Sequence, residues 1–121
     1  MLTEYNALVS ALKNLTQGES PNETTLPMAE DEWNTRPDTN SYGMVSLEFE
    51  ADALRGDNIK TDTAYEGSVD LFSQSRDGGG WIEKITGTLT EYCDGAWRLN
   101  HREYERETRL FHWEWVFQIE G

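Results

Sequence analysis

The segment from Leu110 to Ile119 limits what this chain can fold into more than any other. Phe111, Trp113, Trp115, Phe117 and Ile119 alternate with His112, Glu114, Val116 and Gln118. A two-residue period of this length is a β-strand with unlike faces. Its apolar face is so large that it needs cover, which predicts a central place in a sheet.

The remaining elements follow from that strand. Ala96 to Tyr104 reads as its hairpin partner, with Glu105-Arg106-Glu107-Thr108 spanning the turn. In Gly43 to Glu50, Val45, Leu47 and Phe49 alternate with Ser46, Glu48 and Glu50, which predicts a strand with one wet face. Ala64 to Ser73 returns beside it, with Tyr65, Val69 and Leu71 on one face. The polar excursion from Asp52 to Asp62, with the turn signal Gly56-Asp57-Asn58, makes this pair a long hairpin with a protruding tip.

Two segments read as helices. Over residues 3–16, Tyr5, Leu8, Val9, Leu12 and Leu15 form one stripe, with Thr3 as N-cap and Gly18 as stop. Over 81–92 the stripe is Trp81, Ile82, Ile85, Leu89 and Tyr92. Gly87 weakens this second helix, and a close packing contact is the expected reason. Residues 18–41 have no period and read as an ordered but irregular connection pinned by Trp33. The order α-β-β-α-β-β predicts an α+β domain over residues 1–121: a single antiparallel sheet of about four strands with two flanking helices.

Charge narrows the function. The 121 residues hold 23 Asp and Glu against 10 Lys and Arg, a net charge of -13. That balance opposes general nucleic-acid binding and attachment to anionic membranes. With 12% aromatic residues, however, the chain is not a disordered acidic tail. The lone Cys93 permits no internal disulfide, and the N-terminus carries no signal-peptide pattern, so an intracellular setting is expected.

No residue set reads as catalytic, cofactor-binding or metal-binding. The run Gly78-Gly79-Gly80 lacks the Lys-Ser or Lys-Thr of a phosphate loop and reads as a turn before a helix. His101, His112 and Cys93 show no zinc-ligand spacing, and structural or solvated roles are expected for them. The acidic cluster Glu30-Asp31-Glu32 lacks the calcium-loop pattern. Arg55-Gly56-Asp57 matches an adhesion tripeptide but reads as an ordinary hairpin tip.

The charge is unevenly placed. Residues 1–96 carry 18 acids and 6 bases; residues 97–121 carry 5 acids and 4 bases. Arg98, Arg102, Arg106 and Arg109 form a row interleaved with Glu103, Glu105 and Glu107. Cross-strand ion pairing explains the row, and so does an interface with the acidic surface of a neighbouring copy.

One set of segments resembles a known family. Trp33 with Arg36-Pro37, Tyr42-Gly43-Met44-Val45-Ser46-Leu47-Glu48, Gly56-Asp57 and Tyr65-Glu66-Gly67-Ser68-Val69-Asp70-Leu71-Phe72 occur in an order that resembles the tail terminator proteins of long-tailed bacteriophages and prophages. These are also called tail completion or head-tail joining proteins. Leu110-Phe111-His112-Trp113-Glu114-Trp115-Val116-Phe117 fits the family's last strand.

The resemblance implies one antiparallel sheet with flanking helices. It also implies a non-enzymatic virion protein, assembled in the host cytoplasm and located at the tail neck. Such proteins form a ring, typically a hexamer, that ends tail-tube growth and joins the head connector. The partners are then further copies of the chain, the tube protein and a neck protein. DNA crosses the lumen without specific binding, and no cofactor or membrane is involved. The interface candidates are the tip residues Arg55, Asp57, Asn58 and Ile59 and the Arg98, Arg102, Arg106 and Arg109 row, with Glu30, Asp31 and Glu32 as partner surface. Another neck adaptor, or an acidic DNA mimic that inhibits a DNA-binding protein, is the alternative.

Overall fold

Side chains three and four apart draw the first helix onto the core. In the computed structural model, which describes residues 2–50 and 64–120, α1 spans Thr3–Lys13 and buries Tyr5, Leu8, Val9 and Leu12. It is shorter than the apolar stripe suggests. Leu2, not Thr3, occupies the N-cap, and no side chain caps it. After Lys13 the chain turns into β1 (Thr16–Gln17), which pairs antiparallel with β2 (Thr24–Thr25) as a separate ribbon.

The expected single antiparallel sheet of four strands is not what forms. The main sheet has five strands and is mixed, in the order β3-β4-β5-β7-β6. The extra strand, β3 (Met28–Glu30), runs parallel to β4 (Ser41–Glu50), with Ala29 opposite Met44. Three residues after Pro27 are too few to show a period, and their partner is set by tertiary packing of Leu26 and Met28 into the core. The α+β class still holds.

The four long strands lie near their expected positions. β4 pairs with β5 (Ala64–Ser73), Val45 opposite Val69, with a bulge between Leu47 and Phe49. β5 pairs with β7 (Leu110–Glu120), Val69 opposite Trp115. β7 pairs with β6 (Trp97–Glu105), with a second bulge between Leu99 and His101. The aromatic strand β7 is therefore an inner strand, flanked on both sides, while β5 holds the centre. The predicted tip at 52–62 lies outside the described residues.

Between β5 and β7 come the glycines and the second helix. Gly78, Gly79 and Gly80 all have positive φ (78°, 69° and 84°), and Asp77 Oδ1 accepts from Gly79 N–H at 2.9 Å. This tight turn needs residues without Cβ and leads directly into α2 (Ile82–Tyr92). α2 packs beside α1 on one face of the sheet. There Val45, Val69, Leu71, Trp113, Trp115, Phe117 and Ile119 meet Leu8, Leu12, Ile85 and Leu89 in one core. Gly87 is the exception to expectation: it is exposed, and nothing lies within 4 Å of where its Cβ would stand. It is not there for packing.

Candidate functional site

The second face of the sheet carries Tyr42, Met44 and Ser46 from β4, Ser68, Asp70 and Phe72 from β5, and His112, Glu114 and Val116 from β7. Among the described residues no helix covers it. Its register lines Tyr42, Phe72 and His112 up across three strands. The rings make a file: Trp33 meets Tyr42 edge-on at 6.1 Å, Tyr42 stacks on Phe72 at 5.0 Å, and Phe72 stacks on His112 at 4.2 Å. His101 closes the file edge-on at 5.6 Å. Trp33 is pinned as expected, by an indole N–H donated to the Gly43 carbonyl at 3.1 Å. Burial raises the Tyr42 hydroxyl above its ordinary pKa, against the pull of the adjacent Arg36.

At the end of this file stands a histidine–carboxylate cluster that the spacing along the chain did not reveal. His112 Nε2 lies 2.6 Å from Asp70 Oδ1, and its Nδ1 lies 3.1 Å from Glu105 Oε2. Burial works against charge on this ring, but the hydrogen bonds and charges of Asp70 and Glu105 outweigh it and raise the His112 pKa. Across the ladder Glu103 faces His112, and His101 faces Glu114. His101 Nε2 is 3.1 Å from Glu103 Oε1. The signal that leads to this cluster is the strand register, which places residues of β5, β6 and β7 side by side.

The interface candidates separate into distinct places. Arg55, Asp57, Asn58 and Ile59 lie outside the described residues. Arg98, Arg102, Arg106 and Arg109 are all exposed but do not form one row. The bulge at Asn100 reverses the alternation, so Arg98 faces outward opposite Val116 while Arg102 lies on the helix side opposite Trp113. Arg102 covers the rings of Phe111 and Trp113, at 5.2 and 5.5 Å. Arg106 and Arg109 sit in the turn between the strands, Arg109 with φ 60°. Glu30, Asp31 and Glu32 are exposed at β3, the opposite edge. Asp31 N–H donates to the Val45 carbonyl, and Glu30 and Asp31 add to burial in raising the Tyr5 hydroxyl pKa.

β6 also differs from the other long strands. Both of its faces are largely open, and it carries the two large apolar residues that are exposed among the described residues, Leu99 and Tyr104, each 48% exposed. Nearby depressions are shallow. One of about 390 Å³ is lined by Glu66, Trp97, Arg98 and Val116; another of about 290 Å³ touches Cys93. Burial, then the Asp94 charge, pushes the Cys93 thiol up to about 12, which leaves almost no thiolate to act as a nucleophile near neutral pH. Comparison with known proteins finds no matching family model, no similar curated protein and no similar solved structure.

Proposed function

We propose that this chain is a structural, non-enzymatic ring protein of a phage tail. In this reading it caps the head-proximal end of the tail tube, ends tube growth and presents a surface to the head connector. The observation that carries the reading is the placement of charge. The acidic Glu30-Asp31-Glu32 segment and the Arg98/Arg102 strand stand on opposite edges of one five-stranded sheet. Four strand spacings separate them, roughly 19 Å.

A head-to-tail contact needs two different, complementary surfaces on one subunit, and a closed rotation turns that contact into a ring. The exposed Leu99 and Tyr104 give the arginine-bearing edge an apolar contact to bury. Complementary charges set the register and the rate of association more than the affinity. The surplus of acid, a net -13, suits a lumen that DNA passes without adhering. The sequence resemblance to tail terminators points the same way.

The test is direct. Purified protein is added to tail tubes assembled from the tube protein of the same genome, and tube ends are viewed by negative-stain electron microscopy. Ring-shaped caps at one end, with arrested elongation, are expected. Bare ends and undiminished growth at saturating protein would reject the role.

A further inference from the structure

Ring assembly gives no task to the two histidines, yet the fold brings them together. Among the described residues, His101, Glu103 and His112 form the one trio of potential metal ligands, with a ligand atom from each within 4.8 Å of the others. We propose that this trio is a binding site for a borderline divalent cation such as Zn²⁺. The inference is independent of the ring reading.

Four observations carry it. First, the backbone fixes the arrangement. His101 and Glu103 lie two residues apart on one face of β6, and His112 faces Glu103 from β7. Second, the distances are within reach. Ligand atoms of a tetrahedral zinc ion with bonds of about 2.0–2.1 Å stand roughly 3.4 Å apart. The His101 and Glu103 side chains, 40% and 50% exposed, can make the small closing movement. Third, the donors are selective. Two imidazoles and a carboxylate suit zinc, cobalt, nickel or copper, whereas calcium and magnesium demand oxygen donors.

Fourth, His112 is already oriented. Its Nε2 and Nδ1 are held by Asp70 and Glu105, and its ring stacks on Phe72. A metal displaces one of these carboxylates, takes that ring nitrogen and leaves the other nitrogen on its carboxylate, the arrangement that fixes tautomer and ring plane in known metal sites. The surrounding Asp70, Glu103, Glu105 and Glu114 supply a negative environment that a divalent ion offsets. Three protein ligands also leave a coordination position for water or an outside donor.

Calorimetric titration of the tag-free full chain with zinc chloride at about pH 7.5 tests the site. One saturable ion with Kd of about 10 μM or tighter is expected, as is at least tenfold weaker binding of Mg²⁺ and Ca²⁺. His101→Ala and Glu103→Gln alter exposed side chains, and each should weaken Zn²⁺ at least about tenfold while the melting temperature of the metal-free protein stays near that of the parent. Co²⁺ should give visible absorption of a nitrogen-and-oxygen site in the parent and not in His101→Ala. Absence of saturable Zn²⁺ binding below about 100 μM would overturn the proposal. So would unchanged binding in His101→Ala, or Ca²⁺ binding as tight as Zn²⁺, which would mark a diffuse acidic surface.

Discussion

Single residues set hard limits on this sheet. Gly67 sits opposite Leu47, beside the β4 bulge, and a Cβ there would meet the Ser46 carbonyl and lie 2.5 Å from Phe117 Cζ. Backbone cannot give way cheaply, so Gly67→Ala should destabilise by about 2–3 kcal/mol in urea unfolding. Cys93 is buried with its thiol held protonated. It should react with a thiol reagent at about pH 8 only as fast as the protein unfolds. Its pKa is raised on folding, so its contribution to stability is complete below the unfolded value near 8.5 and is lost as pH climbs toward about 12. Cys93→Ala should therefore show a shallower alkaline loss of stability than the parent, measured across that window. The residues of the histidine cluster were individually visible in the sequence. Their meeting was not, because it depends on which residue of β6 faces which residue of β7.

At the scale of elements, period was a good guide wherever a segment was long. The aromatic alternation of β7 and the helical stripe of α2 both appear where the pattern places them. Short elements escaped. β3 has three residues and β1 and β2 two each, and their pairing is decided by the chain around them. The Asn100 bulge was equally invisible, and it alone splits the apparent arginine row between two faces. Gly87 offers a test of the helix. Its site is open and exposed in the middle of α2, so Gly87→Ala should stabilise by about 0.5–1 kcal/mol in urea unfolding, through reduced freedom of the unfolded chain and better helix propensity. A loss of stability would contradict the open placement of this site.

For the whole molecule, the proposed ring requires that opposite edges of one sheet meet between copies. The acidic edge residues Glu30 and Glu32 and the basic residues Arg98 and Arg106 are all exposed; Glu30 also borders the buried Tyr5 hydroxyl, so the melting temperature of its variant is measured before assembly is scored. In the proposed contact Leu99 and Tyr104 are covered by the next copy, so Leu99→Asp together with Tyr104→Asp should abolish capping of tube ends, while the monomer stays folded and loses only about 1–2 kcal/mol through strand propensity and the Tyr104–Phe111 ring pair. The most direct measurement uses two variants. Glu30→Arg with Glu32→Arg makes both edges basic, and Arg98→Glu with Arg106→Glu makes both acidic. Each is viewed on tail-tube ends alone and then in equimolar mixture, by electron microscopy and native mass spectrometry. Head-to-tail assembly predicts no rings from either variant alone and rings of alternating composition from the mixture. Rings from both variants alone, or none from a mixture under conditions where the parent caps tubes, would contradict it.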